Sequence, residues 1–291
     1  MQARSLLYSS RPAILDGVEV SARLARSGTG TVGLSPLAQV ARLVQPHLEE
    51  AEMRIAQQAA AFDPALEGYV VYAVGSRGKR LRPLLALLAG GATGQVNSNH
   101  VDLAVIVELI HIATLVHDDV MDEAERRRAQ PTANARWGNS LSVLLGDCLF
   151  AHALTLSTNF ENAGIGRAIA RTAATVCSGE MVQTQRRFDL TLTVQDYLRI
   201  VEMKTGSLFS VAADLAAVIS DADPKVTETS RNFGMQIGTA YQIYDDCLDL
   251  AGSDLIREAQ GTLNGIASNP YADALLSLAD ALCGMFDQLR V

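Results

Sequence analysis

The stretch Val105-Ile106-Val107-Glu108-Leu109-Ile110 is apolar except for one acid, and it leads into Asp118-Asp119-Val120-Met121-Asp122. The apolar run indicates a helix. On a helix Asp118 and Asp122 lie one turn apart on the same face, so their carboxylates repel each other unless a cation lies between them. Hard ions such as Mg²⁺ take oxygen ligands and are commonly shared with substrate phosphates. The pentapeptide therefore makes this helix end a candidate metal site.

The same spacing occurs again at Asp245-Asp246-Cys247-Leu248-Asp249, also after apolar helical sequence, from Ile237 to Tyr244. With 32 acidic residues in the chain, one such pattern is expected by chance on the order of 0.4 times, so a single copy means little. Six carboxylates on two helices facing across a cavity would hold a diphosphate through bridging metals. The alternative is two solvated acidic helix ends. Cys247 is interpreted as a core-facing filler.

The remaining sequence predicts one all-helical domain. A helix begins at Ser35-Pro36, where serine is the N-cap and proline takes the first helical position. Ala/Leu-rich blocks continue to the C-terminus, and β-branched runs bounded by hairpin turns are nearly absent. Residues 1–34 are Gly/Ser/Arg-rich and predict a poorly ordered arm. Their G-x-G-x-x-G match at residues 28–33 lacks the downstream β-α-β alternation that a dinucleotide site needs.

Composition excludes several classes of protein. The 291 residues are 48% hydrophobic and 19% charged, as in ordinary globular proteins. The net charge of -8 argues against nucleic acid as a partner, because phosphate binding needs a basic face. The four cysteines lie far apart, without the spacing of a disulfide framework or zinc site. No uninterrupted apolar run has membrane-spanning length, and no secretory signal is present, so we expect a cytoplasmic protein.

Basic clusters accompany the first aspartate motif. Arg126-Arg127-Arg128 follows it by just over one turn, and Gly78-Lys79-Arg80-Leu81-Arg82-Pro83 lies upstream before an apolar helix. Such a cluster is either a surface patch or a phosphate anchor. An acidic metal site beside a basic anchor suggests two phosphorylated substrates, one held through metal and one bound by Arg and Lys.

With these motifs in this order, the sequence resembles the trans-isoprenyl diphosphate synthases, and most closely their bacterial octaprenyl/solanesyl-type branch. The resemblance runs from about residue 36 to 254. Besides the aspartate motifs, it rests on residues 78–83, 108–111, 146–147, 179–183, 202–205 and 241–244. It implies a single-domain helical bundle around a central cavity, a homodimer, and at most peripheral membrane contact.

The implied activity is that of a Mg²⁺-dependent prenyltransferase. It condenses isopentenyl diphosphate with an allylic diphosphate, such as farnesyl or geranylgeranyl diphosphate, into a medium- or long-chain all-trans polyprenyl diphosphate. About three Mg²⁺ ions would hold the allylic diphosphate. Their ligands would be Asp118, Asp119, Asp122, Asp245, Asp246 and Asp249. Isopentenyl diphosphate would be bound by Lys79, Arg82, His111 and Arg128, and the allylic diphosphate would be contacted by Arg127. The cavity would be lined by Lys204, Thr205 and Gln242.

Product length is partly readable from the helix before the first motif. Short-chain relatives often carry an aromatic residue one turn before the first aspartate, whereas Ala113 and Thr114 stand there. The resemblance therefore implies an open tunnel and a product longer than geranylgeranyl. His117, beside the motif, has either a packing role or a supporting role behind the site.

The sequence also departs from the family. Ala129 stands where glycine usually follows the paired arginines. After Asp254, Leu255 begins a stretch that resembles a far later helix, so a segment on the order of 50 residues is missing between them. Either the protein lacks this segment or the 291-residue sequence omits it.

Three alternatives to a long-chain synthase remain from the sequence. A farnesyl or geranylgeranyl diphosphate synthase differs only in product length. A class I terpene cyclase shares the first motif but usually has an Asn/Ser/Glu triad in place of the second. A non-catalytic subunit of a heteromeric synthase tends to lose the aspartates or the basic anchor, and both are present here.

Overall fold

The computed structural model describes residues 41–75, 78–127 and 130–250, the last four without their side chains. The elements in chain order are α1 (Gln45–Gln57), α2 (Glu67–Val74), α3 (Leu81–Thr93), α4 (Ser98–Met121), β1 (Arg126–Arg127), β2 (Gln130–Pro131), α5 (Ala133–Trp137), α6 (Asn139–Ser157), α7 (Ala163–Gln185), α8 (Val194–Val201), α9 (Ser207–Ile219) and α10 (Pro224–Leu250). A 3₁₀ turn follows α1, and a π-helical turn at Glu202–Gly206 joins α8 to α9. The predicted all-α class is confirmed.

The chain divides into two compact units, residues 1–238 and 239–291. Residues 239–250, which are the end of α10, are the described part of the second unit. The predicted N-terminal arm, the Ser35-Pro36 helix start, and the break between Asp254 and Leu255 lie outside the described residues. The domain boundaries therefore stay a prediction.

Helix α4 is the centre of the first unit. Residues on every side of it are buried, as expected for a helix that is apolar nearly all round. It packs most extensively against α6 and also against α3, α1 and α9. The β1–β2 hairpin follows the end of α4 directly, with Arg127 opposite Gln130. The core helix therefore carries the first aspartate motif to the point where the chain leaves the core.

The N-terminus of α4 is held by a fully buried histidine. His100 Nε2 donates to the Ala216 carbonyl of α9 over 3.0 Å, and its Nδ1 accepts from the Asn97 backbone N–H over 3.2 Å in a capping box. Gly90 leaves room for the ring, since a Cβ there would overlap it. Burial lowers the pKa of His100 below its ordinary 6.5, although the Ala216 bond works in the opposite direction.

We expect this histidine to make folding acid-sensitive. A lowered folded pKa means that its contribution is fully present above pH 6.5 and is lost as pH falls through the window below that value. The slope approaches about 1.4 kcal/mol per pH unit for one proton. Urea unfolding at pH 7.5 and 5.5 measures it. Because other groups also titrate, the comparison is with His100→Gln, which should lose less stability between the two pH values. An equal loss would contradict the assignment.

A buried ion cluster joins α1, the start of α3 and α4. Arg80 donates to Glu52 and to Glu108, each over 2.7 Å, and to the Val74 carbonyl over 3.2 Å. Arg80 lies at φ 48°, a left-handed conformation, immediately before α3. Burial lowers the pKa of Arg80, but Glu108 and Glu52 outweigh it and raise the pKa overall. Arg80 thus has a structural role within the basic cluster.

Two described helices are long and apolar enough to cross a membrane by length and composition alone, although neither is an uninterrupted apolar run. The apolar window of α4 is 72% buried within the protein, as in a core helix, and that of α6 is 33% buried. Core helices of soluble proteins pass the same test, so this is weak evidence of a membrane span.

Candidate active site

The first aspartate motif occupies the last turn of α4. Asp118 and Asp119 are inside the helix, and Asp122 is its C-cap, with its backbone N–H donating to the Asp118 carbonyl over 2.8 Å. Asp119 is buried, Asp118 is half-buried and Asp122 is exposed. Glu123 then turns the chain at φ 49°. Helix geometry thus places the three carboxylates at different depths at one helix end.

Each of these carboxylates has a different cationic partner. Lys204 Nζ lies 3.8 Å from Asp118 Oδ2, and Arg127 Nε donates to Asp119 Oδ1 over 2.8 Å. A third pair joins Arg187 Nη2 to Asp122 Oδ1 over 3.3 Å. These cations come from three separate parts of the chain, namely the π-helical turn, β1 and the segment after α7. The fold therefore supplies counter-charges that offset the repulsion within the motif.

The Lys204 ammonium also contacts a second half-buried acid, Glu180. Its Nζ lies 2.9 Å from Glu180 Oε1, and the Glu180 side chain is 14% exposed. Lys204 and the buried Thr205 both belong to the π-helical turn, a local form often found at functional sites. That turn packs against α7 because Gly179 has no side chain, and a Cβ there would lie 2.8 Å from the Lys204 backbone nitrogen.

The acids in this cluster outweigh the positive charge around them. Burial raises the pKa of Asp118, although Lys204 and Arg127 oppose the shift, and burial likewise raises the pKa of Asp119. Burial and the Asp118 charge raise the pKa of Glu180. Burial lowers the pKa of Lys204, but Asp118 and Glu180 raise it overall. An added cation would therefore be favourable here.

A divalent metal fits the first motif in part. Asp118 Oδ1 is buried and has no hydrogen-bond partner among the described residues, so an acceptor oxygen is left for a ligand. Carboxylate oxygens suit Mg²⁺. Within the described residues, however, no three His, Cys, Asp or Glu side chains are arranged as a ready metal site. The first motif therefore offers carboxylate oxygens without forming a complete site.

The second motif lies at the end of α10, in the other unit. Gln242 donates to Asp246 Oδ1 over 2.8 Å, one turn further along the helix, and Asp245 is exposed. The Asp249 and Cys247 side chains lie outside the described residues. The helical setting of the motif is confirmed, and its predicted approach to the first motif stays a prediction.

An apolar cavity of about 270 Å³ lies beside the first motif, between α4, α6 and α7. Its lining residues are Thr114, His117, Asp118, Val120, Met121, Val143, Phe150, Val176, Cys177 and Glu180. Thr114 lines this cavity. Ala113 is fully buried in the core on another side of α4, since neighbouring helix residues point about 100° apart. The predicted open tunnel stays a prediction.

His117 packs between α4 and α6. Its Nε2 lies 3.1 Å from the Val143 carbonyl and 3.4 Å from Asp147 Oδ1, and its ring stacks on Phe150 at 6.0 Å between centroids. A Cβ on Gly146 would overlap the ring. Gly146 and Asp147 thus help to hold this histidine between the two helices.

The residues of the basic cluster have different surroundings. Lys79 is exposed, and the half-buried Arg82 guanidinium lies 4.7 Å from the centre of the Phe209 ring. His111 is half-buried on α4. Arg128 lies outside the described residues. The cluster is therefore divided into buried Arg80, which binds acids of the core, and more exposed cations that remain candidates for binding phosphate.

Two charged residues of this site were missed by sequence reasoning. Glu180 was identified only as part of residues 179–183, which carry the family resemblance. Arg187 was not identified as a site residue. The pair Gly179-Glu180 could have drawn attention to Glu180, because a glycine beside an acid inside a helix suggests close packing at a charged position. Nothing in the sequence near Arg187 points to Asp122, which is 65 residues away.

Close packing at Gly179 gives a direct test of how Lys204 is placed. Gly179→Ala should lower the free energy of unfolding by about 1–3 kcal/mol, because backbone atoms of the π-helical turn must move. Urea unfolding measures it. Gly68→Ala in α2 is the control, since no atom lies within 4 Å of the added methyl group. That control should be neutral or up to about 1 kcal/mol more stable. Equal effects of the two changes would contradict the packing argument.

The described helices carry acidic motifs at two helix ends and an apolar cavity beside the first motif. The chain belongs to the polyprenyl synthetase family, whose sequence profile matches residues 63–261. The chain is 36% identical to octaprenyl diphosphate synthase of Escherichia coli over 178 residues, which cover 61% of the chain and 55% of that protein. It is 37% identical to nonaprenyl diphosphate synthase of Mycobacterium tuberculosis over 242 residues, covering 82% and 70%.

A decaprenyl diphosphate synthase from Rhodobacter capsulatus has a similar solved structure. The TM-score is 0.71 at 30% identity, and 88% of each chain is covered. The matched region spans only about half the length of the Escherichia coli relative. The predicted family and isoprenoid-synthase fold are confirmed.

Proposed function

We propose that this protein is a Mg²⁺-dependent prenyltransferase that elongates an allylic diphosphate with isopentenyl diphosphate into a medium- or long-chain all-trans polyprenyl diphosphate. The observation that carries the proposal is the half-buried Asp118, which lines an apolar cavity and has a buried oxygen, Oδ1, without a partner among the described residues. A polar anchor in the wall of an apolar cavity suits a ligand with a charged head and a hydrocarbon chain. The relatives named above are polyprenyl diphosphate synthases.

The residues of the first unit would act through charge and exclusion of water. Bound Mg²⁺ would supply positive charge that stabilises the departing diphosphate. Asp118, Asp119 and Asp122 would hold the Mg²⁺. Lys204 and Arg127 would add positive charge next to the diphosphate. The apolar wall would keep water from the allylic cation until the isopentenyl double bond attacks it. The new cation formed by that attack would then lose a proton to the departing diphosphate, which gives the double bond of the elongated product. Positioning and electrostatics, rather than a protein nucleophile, would supply the rate.

The rest of the proposed machinery comes from the family resemblance. Asp245, Asp246 and Asp249 would complete the ligands for about three Mg²⁺ ions. Thr205 and Gln242 would line the reacting region. Isopentenyl diphosphate would bind Lys79, Arg82, His111 and Arg128. Residues 35–291 would form one catalytic domain.

The protein would be a cytoplasmic homodimer. Support for the dimer comes from α6, which leaves Leu141, Val143 and Leu144 exposed on a mostly apolar helix. A second copy would cover this face, and membrane contact would be peripheral at most. Sedimentation velocity of the purified protein tests the dimer.

Product length should depend on Thr114. Thr114→Phe is expected to shorten the main product by at least one isoprene unit, because a ring placed at this position fills part of the 270 Å³ cavity. Chromatography of the dephosphorylated products measures it. Ala113→Phe is the contrasting variant, since its ring would enter a filled core and cost about 1–3 kcal/mol of stability or more. Unchanged products with Thr114→Phe would show that the chain grows elsewhere.

The proposal is tested by incubating the protein with farnesyl diphosphate and labelled isopentenyl diphosphate, with and without Mg²⁺. Labelled elongated product that requires Mg²⁺ supports it, and the length distribution separates a long-chain synthase from a farnesyl or geranylgeranyl diphosphate synthase. A hydrocarbon formed without isopentenyl diphosphate would indicate a terpene cyclase. No product from the folded protein would indicate a non-catalytic subunit.

A further inference from the structure

Glu180 is a half-buried acid that has no role in the proposed mechanism. It lies on α7, lines the apolar cavity and is 14% exposed. A carboxylate in such a wall is unfavourable unless a partner compensates for its burial. The partner is Lys204, whose Nζ lies 2.9 Å from Glu180 Oε1 and 3.8 Å from Asp118 Oδ2. One ammonium group thus lies closer to one of two half-buried carboxylates than to the other.

The backbone restricts where this ammonium can lie. Lys204 is in the middle of the π-helical turn Glu202–Gly206, and Gly179 brings α7 into contact with the backbone of that turn. Glu180 is the residue next to Gly179, so the close approach also brings its side chain to the lysine. The short Lys204–Glu180 distance is therefore built into the packing of α7 on the turn.

This inference rests on the proposed function. If that function is correct, Asp118 binds a divalent cation, so the distance between the Lys204 ammonium and Asp118 affects metal binding. An ammonium group bound tightly to Asp118 would partly neutralise this carboxylate and so weaken its attraction for a divalent cation. We propose that Glu180 is a positioning residue that holds the Lys204 ammonium away from Asp118, so that Asp118 stays available to the cation. Without the Glu180 charge, Asp118 becomes the nearest anion to Lys204, and lysine and cation compete for it.

The test measures binding rather than turnover. The probe is Mg²⁺ with a fixed concentration of inorganic pyrophosphate, and the readout is the Mg²⁺ concentration at half of the maximal increase in Tm. Glu180→Gln keeps the size of the side chain and should raise this midpoint about tenfold, the scale of one charge-assisted hydrogen bond. Glu202→Gln is the matched control, because it removes an exposed acid two residues from Lys204 and should leave the midpoint unchanged.

Removal of Lys204 distinguishes a positioning role of Glu180 from a general effect of the Glu180 charge on cation binding. In a Lys204→Met background there is no ammonium to hold, so adding Glu180→Gln should leave the Mg²⁺ midpoint unchanged. Glu180→Asp keeps the charge on a shorter side chain and should give a smaller shift than Glu180→Gln. An unchanged midpoint in Glu180→Gln, or an equal shift with and without Lys204, would overturn the inference. No response of the unmodified protein to Mg²⁺ and pyrophosphate would overturn the proposed function as well.

Discussion

Asp118→Asn is expected to lower kcat by about 10³-fold, which corresponds to about 4 kcal/mol of transition-state stabilisation. Asp118 is the carboxylate of the first motif that lines the apolar cavity and has a buried, unpartnered oxygen among the described residues. The loss should appear in kcat more than in KM, because charge develops on the diphosphate only as the allylic bond breaks. Steady-state kinetics at saturating Mg²⁺ measures both constants.

The same substitution should not destabilise the metal-free protein. Burial raises the pKa of the Asp118 carboxyl, so its charged form is less favourable in the folded than in the unfolded chain. Its unfavourable contribution is greatest above the folded pKa and disappears as the group is protonated at lower pH. The amide that replaces the carboxyl in this variant carries no charge at any pH. We therefore expect the Tm without metal at pH 7.5 to be equal to or higher than that of the unmodified protein.

Glu123→Gln is the control for Asp118→Asn. It removes an exposed acid immediately after the motif, and it should change kcat less than about threefold, as expected of a surface charge. If Asp118→Asn kept most of its activity, the first motif would not be the site of the reaction. If it lost activity only by unfolding, the metal-free Tm would show it.

The largest effect on stability is expected from Arg80→Ala, which should lower the free energy of unfolding by about 3–5 kcal/mol. Arg80 and Glu108 have side chains that are 5% and 3% exposed, and their atoms are 2.7 Å apart. Removal of the guanidinium leaves the Glu108 carboxylate buried in the core without its partner. Urea unfolding at pH 7.5 measures the loss.

Two further variants test the reason for that loss. Arg80→Met combined with Glu108→Leu removes both charges and should recover part of the stability, because a buried pair can be replaced by apolar groups at little cost. Lys79→Ala changes the exposed neighbour and should stay within about 0.5 kcal/mol of the unmodified protein. An Arg80→Ala protein as stable as the Lys79→Ala protein would contradict the assignment.

Much of the fold was predictable because it depends on local pattern. The apolar run before Asp118 does form a buried helix, and the motif lies at its end as the spacing predicts. The two residues predicted to line the tunnel differ in their surroundings, since Thr114 faces the cavity and Ala113 the core. Sequence spacing places residues on a helix, but which side faces a cavity depends on the neighbouring helices.

The counter-charges of the site could not be predicted in the same way. Lys204 was chosen through the family resemblance, whereas its pairing with Glu180 depends on the packing of α7 against the π-helical turn. The Arg187–Asp122 pair likewise depends on how the segment after α7 lies against the end of α4. The basic cluster at residues 78–83 looked uniform in sequence. In the fold, Arg80 is turned inward to Glu52 and Glu108, and Lys79 is exposed.

The sequence by itself determined the family, the all-α class and the two aspartate motifs, because each depends on residue types at short, regular spacing. The tertiary structure decided which acids line the cavity and which cation each acid contacts. It also decided that Gly179 lets the π-helical turn that carries Lys204 pack against α7. These features depend on contacts between residues far apart in the chain, and local pattern carries no information about such distances.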